Sequence, residues 1–130
     1  AGSLCSEPVT SNDFYPTILQ MASVPLRPEQ HIDGLSLAGL LKGGEKLKRD
    51  ALYWHYPHYS NQGGRPSGAI RSGDYKLIEH FEDNRIELYN LREDIGETNN
   101  LSNDLEDKAK VLSDKLNKWH EEVEARMPTF

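Results

Sequence analysis

Residues 66–91, PSGAIRSGDYKLIEHFEDNRIELYNL, admit few folds. Three runs rich in β-branched and aromatic residues stand in this stretch: Ala69-Ile70-Arg71, Tyr75-Lys76-Leu77-Ile78 and Arg85-Ile86-Glu87-Leu88-Tyr89. The first two are separated by Ser72-Gly73-Asp74, and Glu82-Asp83-Asn84 precedes the third. Glycine accepts positive φ without a Cβ clash, and aspartate bonds its own backbone in turns. Strands joined by connections this tight pair antiparallel. In the third run Ile86, Leu88 and Asn90 point one way and Glu87 and Tyr89 the other. That alternation predicts a sheet with one buried face and one wet face.

Residues 51–57, ALYWHYP, alternate in the same way and add a fourth strand closed by Pro57, with Leu52, Trp54 and Tyr56 on one side and Tyr53 and His55 on the other. The loop SNQGGRP, residues 60–66, connects it to the sheet. Further on, Leu105, Ala109, Leu112, Leu116, Trp119 and Val123 recur at spacings of four and three, the single stripe of an amphipathic helix. Asn103 with Glu106 suits a capping box, and Pro128 stops the helix. Asp104/Lys108, Glu106/Lys110, Asp114/Lys118 and Glu122/Arg126 place opposite charges four apart on its solvated side. Earlier in the chain, Glu7–Thr10 suits an edge strand. SNDFYPTILQMA, residues 11–22, reads as a helix started by Ser11 or Asp13, and residues 35–41 read as a shorter helix ended by Gly43-Gly44. The predicted fold is α+β: a four-stranded antiparallel sheet (51–57, 67–72, 75–81, 85–90) packed against a helix over 104–126 and preceded by two short helices.

Composition narrows the function. A net charge of −6 works against phosphate backbones and anionic membranes, so neither a nucleic acid nor a membrane is an expected partner. No run approaches the ~18 apolar residues of a membrane span. One cysteine, Cys5, cannot form an internal disulfide. A mean hydropathy of −0.73 is polar for a chain this long, which suits a piece leaning on a larger neighbour as well as a well-solvated small domain.

The cluster Tyr53-Trp54-His55-Tyr56-Pro57-His58-Tyr59 offers two imidazoles three apart among aromatic rings, beside a glycine loop carrying Arg65. Histidine donates hydrogen bonds and carries charge near neutral pH, which suits a sulfate or a sugar hydroxyl. A substrate rim of His55, His58, Tyr59 and Arg65 is one reading. The other makes His55 a satisfied strand residue and His58 a turn residue. No metal site is expected: His31, His80 and His120 fall in unrelated elements, and zinc needs three or four ligands of fixed geometry. Arg71 and Lys76 are expected to pair with Glu79, Glu87 or the acidic 92–98 loop, Asp13 to start a helix, and Asp94 and Glu97 to serve the loop.

GAIRSGDYKLIEHFEDNRIELYNLREDIGETNNL resembles the C-terminal part of the formylglycine-dependent sulfatases, of the alkaline phosphatase-like superfamily. That family shows there an Arg, a Gly-Asp turn, a Lys-Leu-Ile strand, a Glu-Leu-Tyr-Asn-Leu strand, then Asp-x-x-Glu-x-x-Asn-Leu. PVTSNDFYPTILQMA resembles the segment leading to that region. The resemblance implies that residues 1–50 end a catalytic domain and residues 51–130 form the C-terminal subdomain. It implies a parent enzyme hydrolysing sulfate esters of aryl or carbohydrate substrates, periplasmic or secreted, with calcium and formylglycine in a catalytic domain that packs on this chain. In the family's Cys-x-Pro-Ser-Arg motif the cysteine becomes formylglycine, whereas Cys5 is followed by Ser6-Glu7-Pro8-Val9 and does not match. The resemblance therefore gives this chain no catalytic residue and no turnover alone. The rival readings are a free-standing sugar- or peptide-binding module, and the C-terminal part of a related phosphatase or phosphodiesterase.

Overall fold

The computed structural model describes every residue except 1, 3 and 45. It comprises two compact units, Ala1–Lys48 and Arg49–Phe130.

The first unit is built around a buried carboxylate. A 3-10 turn, Ser11–Asp13, runs into helix α1, Phe14–Met21, and a short helix α2 spans Ala38–Leu41. Asp13 is fully buried; its Oδ2 accepts the Thr10 N–H at 2.9 Å and its Oδ1 the Leu35 N–H at 2.8 Å. Thr17 adds a second tie: its hydroxyl donates to the Asp13 carbonyl and accepts the Leu37 N–H at 2.8 Å. Asp13 holds the N-cap position of α1, as its place in the sequence suggested, but without a side-chain capping bond to that helix, while Thr10 caps the 3-10 turn before it. Gly34 is required here, because a Cβ would lie 2.3 Å from the Asn12 carbonyl oxygen. Glu7–Thr10 forms no strand.

The second unit is a sheet of four antiparallel strands in sequence order: β1 Leu52–Tyr56, β2 Ser67–Ser72, β3 Tyr75–His80 and β4 Arg85–Asn90. Gly73 turns β2 into β3 at φ 59°, and Asn84 turns β3 into β4 at φ 55°. The register aligns Tyr53, Ile70, Leu77 and Leu88 in one row. Helix α3, Glu106–Glu122, lays Ala109, Leu112 and Leu116 on that row. Ile70, Leu77, Leu88 and Leu116 have no exposed surface, each contributing ~1.5–3 kcal/mol by burial. Tyr53 stacks on Trp119 with ring centres 5.0 Å apart.

Four details depart from the sequence reading. α3 begins with Leu105 at the cap position and no side-chain capping bond, so Asn103 and Glu106 form no box. It stops at Glu122 and not 126, because Glu124 adopts φ 50° and folds the chain back, its N–H on the Glu121 carbonyl and the Ala125 N–H on the His120 carbonyl. The helix's charge pairs also run from lysine to the acid four residues on, Lys110 to Asp114 at 2.8 Å and Lys118 to Glu122 at 3.5 Å. The face away from α3 is not uniformly wet. Tyr89 is 8% exposed there, lying between Lys76 across the ladder and Glu87 on its own strand. Lys76 in turn binds Glu97 of the acidic loop at 2.7 Å, as its position predicted.

Candidate functional site

Strand β1 and the loop after it carry the four residues singled out in the sequence. Alternation puts His55 on the helix-covered face with Tyr53. Its Nε2 is 2.9 Å from the Arg126 carbonyl. A carbonyl only accepts, so Nε2 carries the proton, and Nδ1 is left buried without a partner. The ring stands edge-on to His120, 4.9 Å away, and 5.5 Å from Phe81. Burial, with His55 adding a smaller effect, pushes the His120 imidazole below its ordinary value. Gly68 makes room for this packing: a Cβ there would lie 3.0 Å from His120 Cε1 and 3.1 Å from the tip of Phe81.

His58 follows Pro57 and turns outward. It is exposed, its ring edge-on to Tyr56 at 5.8 Å. His55 and His58 thus lie on different sides of the strand end. His58 and Tyr59 share an open cleft of about 510 Å³ with Pro66 and the tail residues Met127–Phe130. Tyr59 donates its hydroxyl to Glu82 Oε1 at 2.7 Å, and Arg65 places Nε 3.8 Å from Glu82 Oε2. Of the four residues, Tyr59 and Arg65 therefore meet on one carboxylate, His58 stands beside Tyr59, and His55 sits beneath the C-terminal end of α3.

Glu82 was read from sequence only as a turn residue. Its partners are 23 and 17 positions away, and nothing local in the chain marks such a pairing. On the sheet face away from α3, Glu87 gathers His80, Arg85 and Tyr89. Burial alone would raise its pKa, but the contacts from His80 and Tyr89 and the charges of His80 and Arg85 outweigh it and hold the carboxyl low. Asp94 is held low by the Asn99 and Thr98 N–H groups and the Thr98 hydroxyl, which makes it a loop-former.

Neither calcium nor formylglycine fits the residues present. Among the described residues no three histidine, cysteine or acidic side chains are grouped to hold a metal. Cys5 is an exposed free thiol followed by Ser6-Glu7.

Sheet, single covering helix and polar loop give the second unit an α+β architecture. The chain belongs to the family described as N-sulphoglucosamine sulphohydrolase, C-terminal, whose model matches residues 1–125. It is 36% identical over 128 residues to a sulfatase of Formosa agariphila, covering 88% of this chain and 23% of that protein. It is 34% identical to the N-acetylglucosamine-6-O-sulfatase of Bacteroides thetaiotaomicron, covering 78% of this chain and 19% of that protein. Among solved structures it is similar to a protein in complex with its substrate D-glucosamine-2-N,6-O-disulfate, with TM-score 0.71 and 30% identity over 89% of this chain and 24% of the other. The chain thus spans about a quarter of the relatives it matches.

Proposed function

We propose that this chain is the C-terminal, substrate-side part of a sulfatase that hydrolyses sulfate esters on carbohydrate. The observation that carries this reading is the match to a sulfohydrolase C-terminal family along residues 1–125, with sulfatases as the relatives. The catalytic domain is the partner. That domain would hold the formylglycine and calcium that sulfate-ester hydrolysis needs, and this chain contributes support and a rim of His58, Tyr59 and Arg65, with His55 behind it.

Exposed apolar surface on each unit favours a supported part over a free-standing binding module. Phe14, Ile18 and Met21 recur along one side of α1 and are 59%, 62% and 67% exposed. Trp54 and Tyr56 project from the uncovered side of β1. Patches of this kind mark surfaces that another body covers. Sugar as the substrate is supported by the glucosamine sulfates named for a curated relative and for a solved structure. The test is release of sulfate from N-acetylglucosamine-6-sulfate, D-glucosamine-2-N,6-O-disulfate and an aryl sulfate. The 130-residue chain alone is expected to release none; turnover above buffer sinks the proposal.

A further inference from the structure

The loop between β1 and β2 is tied near both its ends to one carboxylate. Tyr59, near its start, donates to Glu82 Oε1 at 2.7 Å; Arg65, near its end, faces Oε2 at 3.8 Å. Between these anchors the loop closes on itself. The Ser60 N–H donates to the Gly64 carbonyl at 2.9 Å, the Ser60 hydroxyl oxygen accepts the Gly64 N–H at 2.9 Å, and Gly63 sits at φ 86°. A turn of this shape is internally ordered, and its placement against the sheet rests on its anchors.

Glu82 belongs to the rigid side of this arrangement. Its neighbour Phe81 donates its N–H to the Pro66 carbonyl at 3.0 Å, one step beyond the Ser67–His80 pair that ends the β2–β3 ladder. Pro66 is fully buried. The carboxylate is therefore carried by the turn after β3, tied to the sheet end through Phe81, while the phenol and the guanidinium are carried by the loop.

The chemistry of the three groups divides the work. A carboxylate repels a sulfate, so Glu82 is not itself a contact for an anion. It accepts the hydrogen bond of the Tyr59 hydroxyl and faces the Nε edge of Arg65. The tyrosine ring and the terminal guanidinium nitrogens are left for something else, and the Arg65 side chain is 64% exposed. The hydrogen bond to Glu82, more than any other influence, raises the Tyr59 phenol above its ordinary value, so the phenol remains a donor. An arginine already ordered before its ligand arrives loses less freedom on binding.

We propose that Glu82 is a positioning residue of the substrate rim, holding Tyr59 and Arg65 at a fixed spacing so that they present a ring face and a cationic fork to a sulfated sugar. This rests on the rim reading given above. The experiment is a titration of the full 130-residue chain with N-acetylglucosamine-6-sulfate, followed by amide and arginine Nε–H shifts, with unsulfated N-acetylglucosamine as the control. The wild-type chain is expected to show saturable shifts at Tyr59 and Arg65 with the sulfated sugar only. Glu82→Ala is expected to weaken that binding about tenfold, the scale of a lost charge-assisted hydrogen bond. Glu82→Gln, which keeps an oxygen acceptor for Tyr59, is expected to retain more of it. Thermal unfolding of each variant, unchanged, excludes misfolding as the cause. Binding that is equal or tighter in Glu82→Ala overturns the positioning role, since the carboxylate would then be idle or a competitor for Arg65. A wild-type chain without sulfate-dependent shifts removes the rim reading itself, and the inference with it.

Discussion

Glu79 shows how far a single side chain can run against its surroundings. It stands on the helix-covered side of β3, in register with Gly68 and Ile86, and its Oε2 is buried without a partner. Burial raises its pKa above the ordinary 4.5. The folded state therefore holds the proton to higher pH than the unfolded chain does. Stability from this site is complete below 4.5 and is lost as pH rises through the folded value. Glu79→Gln keeps the shape and removes the charge. It is expected to be more stable than wild type near neutrality, with the difference closing below 4.5; urea denaturation across that range measures it. This cost is not legible in the sequence, where Glu79 stands only as one of the possible partners of Arg71 and Lys76, beside Glu87 and the 92–98 loop. Alternation ranks residues by face but does not say how far toward the sheet's end the helix reaches. The same gap explains His55, whose strand was correctly read but whose interior contacts depend on His120 and Arg126, 65 and 71 residues away in the chain.

At the scale of elements, β2, β3 and β4 were legible because turn residues and alternation agreed, and α3 was legible because its stripe is unbroken. The end of α3 was not. All three helices close in the same way, with paired backwards hydrogen bonds around a residue of positive φ: Ser23 after α1, Gly43 after α2 and Glu124 after α3. Only α2 announces this with glycine, and its end was read correctly. A left-handed conformation costs a residue with a Cβ ~1–2 kcal/mol, and glycine avoids that cost. Glu124→Gly is therefore expected to stabilise the chain by about 1 kcal/mol, read as a higher denaturation midpoint at unchanged slope. A drop in stability would show that the Glu124 side chain, and not its backbone, is what matters there.

For the molecule as a whole, the division into Ala1–Lys48 and Arg49–Phe130 sets the next expectation. Every member of the main apolar cluster, from Ile70 to Leu116, lies in the second unit, along with the packed Tyr53 and Trp119. Residues 49–130 alone are expected to unfold cooperatively with dispersed methyl signals. A molten profile would show that this core is insufficient without residues 1–48. The sheet itself carries one more consequence. Along the outer side of β4 the chain doubles back: the Leu88 N–H donates to Asn100 Oδ1 at 3.0 Å, and the Leu88 carbonyl accepts the Leu101 N–H at 2.8 Å. At Leu88 that border is occupied, and β1, five residues long, is the other. A foreign strand pairing along β4 would have to displace Asn100 and Leu101 there, so the two borders are not equivalent. That asymmetry works against the two-sided strand addition that a fibril needs.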